Sequence, residues 1–196
     1  MLSDQAEVFV ASPKGGVAPL DPSSVEAFKD DPSSANFLAN KKAVWEKTTP
    51  LKEFLGRANE FDAIFFPGGH GPMFDLATDK ESIQLIREFH SAAKVIAAVC
   101  HGPAALTNVT LPEDGAPLVL NKTVTGFSNA EEKEVQLDKA MPFLLEDALV
   151  KAGGKYVKAD EPWGVKVVTD GKLITGQNPA SARAVGEAIL KTLGVV

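Results

Sequence analysis

Residues 95–106 read VIAAVCHGPAAL, and this segment is the most informative part of a chain of 196 residues. Its first five residues are all apolar, which predicts a strand covered on both faces, as in a parallel sheet. The small residues after Cys100 and His101 predict a sharp turn into a helix. We therefore expect an elbow that presents a reactive side chain at the carboxyl end of a buried strand.

Short apolar runs and amphipathic stretches alternate through the rest of the chain. Pro142 and Pro179 suit the first turn of a helix, and Gly153-Gly154 suits a helix end. Residues 15–42 predict a surface loop that contains one short helix. The predicted strands cover residues 7–12, 63–66, 95–99, 155–157, 165–169 and 173–175, and the predicted helices cover 79–92, 141–152 and 179–193. This order of elements predicts an α/β sandwich and a single domain over residues 1–196.

The composition excludes several classes of protein. With 44% hydrophobic and 23% charged residues, the chain resembles an ordinary globular protein. Its net charge is −6 and its longest basic run is Lys41-Lys42, so no nucleic-acid partner is expected. The apolar stretch 94–100 is too short to span a bilayer, and residues 1–4 lack the features of a secretion signal. We therefore expect a soluble cytoplasmic protein without a membrane partner.

Cys100 is the sole cysteine, so no intramolecular disulfide can form. A lone cysteine is most often a buried apolar residue, and this interpretation stays open. The alternative is a reactive thiol, because an elbow at a helix start places backbone amides and a helix dipole where they lower a thiol pKa. The adjacent His101 would then act as the proton carrier.

A second turn follows the predicted strand 63–66, where residues 67–72 read PGGHGP. Its glycines would let the backbone approach a ligand and donate N–H groups to an oxyanion, although they equally suit a plain tight turn. His70 fits this loop, and we interpret His90, on the predicted helix 79–92, as structural. The three histidines and one cysteine have no zinc-ligand spacing, and no glycine motif for phosphates or dinucleotides occurs. Neither a metal nor a cofactor is expected.

Four segments in a fixed order resemble the ThiJ/PfpI superfamily. They read FFPGGHG at 65–71, AAVCHGP at 97–103, TGFSNAEE at 125–132 and TGQNPASA at 175–182. The chain is most similar to the heat-shock-type members that act as glutathione-independent glyoxalases, also called glyoxalase III. The resemblance implies a flavodoxin-like three-layer sandwich with a mostly parallel central sheet, within a single ThiJ/PfpI-like (class I glutamine amidotransferase-like) domain.

The resemblance also implies a catalytic triad. Cys100 would be the nucleophile, His101 its neighbouring histidine and Glu132 the acidic member. Glu131 is the alternative one residue away, and both glutamates equally suit a solvated helix start.

The remaining site residues follow from the same resemblance. The backbone amides of Gly69 and His101 would be the oxyanion donors, and His70 and Phe127 would line the substrate site. The implied enzyme is a lyase that uses a small α-oxoaldehyde, converting methylglyoxal and water to D-lactate through a hemithioacetal on Cys100. It would form a homodimer, with the nucleus as a further location beside the cytoplasm.

The start of the chain departs from the family. Members begin with a strand and a helix that bring a glutamate against the nucleophile, whereas this sequence starts at what matches their second strand. The expectation is an N-terminally shortened sheet without that glutamate. A truncation, a naturally shortened inactive protein and a partner chain that completes the sheet are the three explanations. The alternative function is a stress-response chaperone or redox-sensing protein, in which Cys100 is oxidised and catalysis is vestigial.

Overall fold

The elements of the fold are taken from a computed structural model that describes residues 5–195. The strands are β1 (Ala11–Ser12), β2 (Thr49–Pro50), β3 (Ala63–Phe66), β4 (Val95–Val99), β5 (Thr123–Val124), β6 (Lys155–Tyr156), β7 (Val167–Asp170) and β8 (Leu173–Gly176). The α-helices are α1 (Pro22–Ala27), α2 (Pro32–Asn40), α3 (Ala43–Glu46), α4 (Gly71–Phe74), α5 (Lys80–Ser91), α6 (Asn129–Glu134), α7 (Leu145–Lys151) and α8 (Ala182–Thr192). Shorter 3-10 helices cover Leu51–Phe54, Ala58–Glu60, Gly102–Leu106 and Pro179–Ser181.

The central sheet has the strand order β3-β4-β8-β7. The first three strands run parallel and β7 runs antiparallel to β8. In the register of the sheet, Phe66 lies opposite Ala98 and Val99 lies opposite Gly176. The carboxyl ends of the three parallel strands therefore meet at one edge, which is where open α/β sheets form their sites.

Helices cover the central sheet on both faces. All five residues of β4 are buried, which requires cover above and below the strand. Helix α5 packs against β3 and β4, and α8 packs against β4 and β8. Their buried apolar residues are Leu85, Ile86, Phe89, Val185, Ile189 and Leu190. The predicted flavodoxin-like three-layer sandwich with a mostly parallel sheet is thus confirmed.

Two helices begin and end close to their predicted bounds. Asp79 is the N-cap of α5, and its carboxylate accepts a hydrogen bond from the Ser82 amide at 2.7 Å. The predicted helix 179–193 starts as a 3-10 turn at Pro179 and continues as α8. Proline suits that first turn because its nitrogen has no hydrogen to leave unpaired.

The helix predicted over 141–152 is shorter in the structure. Helix α7 begins at Leu145, since Leu144 has extended backbone angles of φ −91° and ψ 126°. Pro142 therefore lies outside the helix and its predicted first-turn position is wrong. The predicted end is confirmed, because Gly153 follows the last turn with a φ of +87°.

The prediction of a surface loop with one short helix over residues 15–42 is wrong in the number of helices, because α1 and α2 both lie there. Each helix begins at an Asp-Pro pair. The carboxylates of Asp21 and Asp31 accept hydrogen bonds from the amides of Ser23 and Ser34. An aspartate N-cap followed by proline is a start signal that a high content of loop-forming residues obscured.

The strand predicted over 7–12 is reduced to β1, which pairs with β2 outside the central sheet. Strand β2 ends at Pro50, which has no amide hydrogen to extend the ladder. The sequence also missed β5, which pairs with β6. Asp170 ties β5 to β7 by accepting hydrogen bonds from the Thr123 amide at 2.8 Å and from Lys122 Nζ at 3.1 Å.

Within residues 5–195, none of the helices has both the length and the apolar character needed to cross a membrane. Residues 1–4, where the sequence lacks the features of a secretion signal, lie outside the described residues.

Candidate functional site

Cys100 forms the elbow at the carboxyl end of β4. Its φ of +61° is left-handed, a conformation that costs about 1 kcal/mol or more for a residue with a side chain. Two backbone hydrogen bonds hold it there: its amide donates to the Gly176 carbonyl and its carbonyl accepts from the Phe127 amide, each at 2.9 Å. The predicted strand-to-helix elbow is present, and the chain beyond it is the 3-10 helix Gly102–Leu106.

Two glycines allow the backbone to approach this elbow closely. A Cβ on Gly68 would lie 2.5 Å from Cβ of Cys100, and a Cβ on Gly102 would lie 2.1 Å from the Phe66 carbonyl oxygen. Neither distance is sterically acceptable. The loop after β3 therefore packs directly on Cys100 only because both positions lack a side chain.

Cys100, His101 and Glu132 lie in one hydrogen-bonded chain. Sγ of Cys100 is 3.4 Å from Nδ1 of His101, and Nε2 of the same ring is 2.6 Å from Oε2 of Glu132. All three residues are buried. Each imidazole nitrogen thus has a separate partner, the thiol on one side and the carboxylate on the other. A thiol, an imidazole and a carboxylate linked in this order can move a proton from the thiol onto the imidazole.

His70 joins the same carboxylate from the other side. Its Nε2 is 2.9 Å from Oε1 of Glu132, and its ring centroid is 4.1 Å from that of His101. The His70 side chain is 26% exposed, whereas that of His101 is 1% exposed. The predicted substrate-lining histidine therefore lies between the buried triad and solvent. These three side chains could also hold a small cation, since their ligand atoms lie within 4.8 Å of one another.

The thiol of Cys100 does not have the lowered pKa that the sequence predicted. Burial raises its pKa to about 12, although hydrogen bonds from the backbone amides of Gly69 and His101 oppose this. The following helix is a five-residue 3-10 segment, too short for a strong dipole. At neutral pH the resting group is therefore a thiol and needs a base.

His101 and Glu132 have the protonation states that allow His101 to act as this base. Burial lowers the pKa of His101, so the ring is neutral near pH 7 and can accept a proton. Burial opposes ionisation of Glu132, but hydrogen bonds from His101 and His70 outweigh it and lower its pKa to about 2. A fixed carboxylate is therefore present to stabilise an imidazolium on His101.

The backbone amides of Gly69 and His101 lie close enough to the Cys100 thiol to lower its pKa against the effect of burial. They are the two groups that the sequence predicted as oxyanion donors. Donors at the sulfur are also close to any atom that bonds to it. They are therefore placed to stabilise a negative charge that develops on a substrate oxygen beside Cys100.

Phe127 and Trp163 extend the site as aromatic rings. The Phe127 ring lies 4.3 Å from the His101 ring, and the Trp163 ring meets Phe127 edge to face at 5.6 Å. Phe127 was predicted from the sequence, whereas Trp163 was missed. Trp163 lies in an irregular segment between β6 and β7, where the neighbouring Pro162 and Gly164 indicate only a turn.

Glu131, the sequence alternative to Glu132, faces away from the imidazoles. It is fully buried and accepts hydrogen bonds from Ser128, Trp163, Gln177 and Asn178. Ser128 and Glu131 form a capping box at the start of α6. The Ser-x-x-Glu spacing of residues 128–131 is the sequence pattern of a capping box, and it could have assigned Glu131 to the helix start. His90 lies apart from these residues, in the last turn of α5.

Comparison with known proteins gives a family and several relatives. The profile of the DJ-1/PfpI family matches residues 47–192. The chain is 36% identical over 131 residues to the glutathione-independent glyoxalase HSP31 of Saccharomyces cerevisiae, covering 65% of this chain and 55% of that protein. It is 32% identical over 136 residues to glyoxalase 3 of Candida albicans, covering 67% and 58%. The chain thus spans little more than half the length of these relatives.

Solved structures agree in fold over more of the chain. The Rapid Encystment Protein 24 KDa of Francisella tularensis superposes with a TM-score of 0.85 at 41% identity, covering 94% of this chain and 80% of that one. Glyoxalase III from Candida albicans superposes with a TM-score of 0.84 at 27% identity, covering 97% and 82%.

Proposed function

The chain belongs to the DJ-1/PfpI family, and from this premise we propose that it is a glutathione-independent glyoxalase. The substrate is a small α-oxoaldehyde, and the reaction converts methylglyoxal and water to D-lactate as a lyase of the glyoxalase III type. The names of the curated relatives support this activity. The observation that carries the proposal is the hydrogen-bonded chain of Cys100, His101 and Glu132.

The first step is addition of Sγ of Cys100 to the aldehyde carbon. As the C–S bond forms, the thiol proton moves to Nδ1 of His101, 3.4 Å away. Transfer must accompany attack because the thiol is protonated at rest. Glu132 stabilises the resulting imidazolium through Nε2, and the amides of Gly69 and His101 stabilise the oxyanion. The oxyanion then takes the proton from the imidazolium, which leaves His101 neutral and able to act as a base again.

The hemithioacetal then rearranges to a thioester. His101 removes the hydrogen from the former aldehyde carbon, giving an enediol, and a proton returns to the neighbouring carbon. The former aldehyde carbon becomes the thioester carbonyl, so no external oxidant or reductant is needed. Attack of water on that carbonyl breaks the C–S bond, releases lactate and returns the proton to the thiol.

The structure gives a reason to prefer this enzyme over the redox-sensor alternative. Redox-sensing cysteines have low pKa values and are accessible to solvent. Cys100 is buried, and burial raises its pKa. We also propose that the protein is a single domain over residues 1–196, that it forms a homodimer and that its location is cytoplasmic or nuclear.

Formation of lactate by the purified protein tests the proposal. D-lactate is measured with a chirally specific dehydrogenase for the wild type, Cys100→Ala, Glu132→Gln and Lys133→Gln, the last a control on the exposed face of α6. The wild type and Lys133→Gln are expected to form D-lactate. Cys100→Ala should form none, and Glu132→Gln should be slower by about 100-fold or more. Equal rates for wild type and Cys100→Ala, or an inactive wild type, would reject the glyoxalase proposal.

A further inference from the structure

Glu131 is a buried carboxylate with an unusually complete set of donors. Its Oε2 accepts from the Ser128 amide at 2.9 Å and from the Ser128 hydroxyl at 2.7 Å. Its Oε1 accepts from the Trp163 amide at 2.9 Å, Gln177 Nε2 at 3.0 Å and Asn178 Nδ2 at 2.8 Å. These donors are all neutral. A charge buried this way needs such partners, and it holds the segments that supply them in place.

The turn that carries Trp163 is one of the segments attached to Glu131. The Trp163 backbone has a left-handed φ of +64°, and its amide points at Glu131. Asn178 Nδ2, which donates to Glu131, also donates to the Gly164 carbonyl at 2.8 Å. The Trp163 turn is therefore attached through this carboxylate at two neighbouring residues.

The side chain of Trp163 extends a row of rings that begins at the imidazole of His101. Phe127 lies between them, with centroid distances of 4.3 Å to His101 and 5.6 Å to Trp163. The indole Nε1 donates to Oε2 of Glu134 at 2.6 Å, which fixes the direction of the ring. Trp163 remains 41% exposed although it is a large apolar residue. An exposed, oriented indole at the end of this row is available to contact a bound molecule.

We propose that Trp163 is a specificity-determining residue that contacts the substituent of the α-oxoaldehyde, and that Glu131 is the positioning residue that holds Trp163. This inference rests on the proposed glyoxalase function for its substrate class. The indole selects for aromatic and large apolar substituents, so it contributes more to the binding of phenylglyoxal than to that of methylglyoxal. A purely structural Glu131 would affect stability without changing this selectivity.

The first test compares steady-state kinetics for phenylglyoxal and methylglyoxal. Trp163→Ala is expected to raise the KM for phenylglyoxal about five- to tenfold while kcat and the methylglyoxal KM change less than about twofold. Trp163→Phe should keep most of the wild-type selectivity because phenylalanine also has an aromatic ring. Equal changes for both substrates, or no change, would overturn the role of Trp163.

The second test examines Glu131→Gln, which places an amide N–H₂ among groups that donate hydrogen bonds. It should reproduce the selectivity change of Trp163→Ala, and the double variant should show no further change because both substitutions act through Trp163. Glu134→Gln is the matched control, since its amide oxygen still accepts from the indole. If Glu131→Gln keeps the wild-type selectivity, the positioning role is rejected.

A third measurement does not depend on catalysis. The chain has two tryptophans, so Trp45→Phe leaves Trp163 as the sole indole fluorophore. In that background Glu131→Gln should raise the acrylamide quenching constant about twofold as the turn loosens. Asn178→Ala removes a second attachment of the turn and carries the same test if Glu131→Gln does not fold. Unchanged quenching rejects the inference, whereas a wild type inactive toward both aldehydes rejects the proposed function alone.

Discussion

Glu131 and Glu132 are adjacent in the chain, yet their carboxylates belong to two separate hydrogen-bond networks. Glu132 binds the two imidazoles of His70 and His101, and Glu131 binds Ser128, Trp163, Gln177 and Asn178. Successive residues of a helix point about 100° apart, so one turn of α6 directs Glu132 to His101 and Glu131 to the turn that carries Trp163. Both ends of the site are therefore held by the same helix.

The reactivity of Cys100 should follow its raised pKa. We expect iodoacetamide to alkylate the native protein at about pH 8 roughly 100-fold or more slowly than the urea-unfolded chain, because the native thiolate fraction is small. The native rate should keep rising to at least about pH 10. The adduct is counted by mass spectrometry and can form at one cysteine. A plateau reached below about pH 8 would contradict this prediction.

The lowered pKa of Glu132 predicts that the folded protein loses stability in acid. Its folded pKa is about 2 against an ordinary value of 4.5, so its contribution is complete above about pH 4.5 and is lost as the pH falls towards 2. The free energy of unfolding of the wild type should therefore fall more steeply than that of Glu132→Gln between about pH 5 and pH 2. Urea denaturation at several pH values measures the difference. A gap between the two proteins that stays constant or widens in acid would be inconsistent with this reasoning.

Gly68→Ala should damage the elbow. The new methyl group would lie 2.5 Å from Cβ of Cys100, which forces the loop or the strand end to move. We expect a loss of about 1–3 kcal/mol in the free energy of unfolding and a large loss of activity. Gly71→Ala, at the first residue of α4, is the control three positions away, because nothing lies within 4 Å of its added Cβ. Equal thermal melting points for the two variants would disprove the steric argument.

His70 should matter less than His101. Of the two imidazoles, that of His101 contacts the thiol, whereas that of His70 contacts Glu132. Removing one hydrogen bond to a charged group costs about 1.5–3 kcal/mol, so His70→Ala should lower kcat about 10- to 100-fold. His101→Ala should lower it further, towards the background of Cys100→Ala. Turnover of methylglyoxal under saturating substrate decides the order, and a more severe loss in His70→Ala would reverse the assignment.

Most of the sheet was predictable because its signals are local. Residues 63–66 and 95–99 are continuous apolar runs of strand length, and the structure has a partly buried strand at the first and a fully buried strand at the second. The helix starts at Asp21 and Asp31 were equally local but were missed among loop-forming residues. Strand β5 was not predictable in the same way, since its two residues are held by β6 and by Asp170, 47 positions beyond Thr123.

The order of residues was sufficient to locate the elbow at Cys100, the glycine loop at 67–71 and the two candidate acids on α6, since each depends on a short motif. Contacts between distant parts of the chain determined which partners these side chains have and how deeply they are buried. They direct Glu132 to His101, 31 positions away, and Glu131 to Asn178, 47 positions away. They also bury Cys100 and raise its pKa, which reverses the local argument from a helix start. Burial and hydrogen bonding are properties of the packed molecule, so no short motif can specify them.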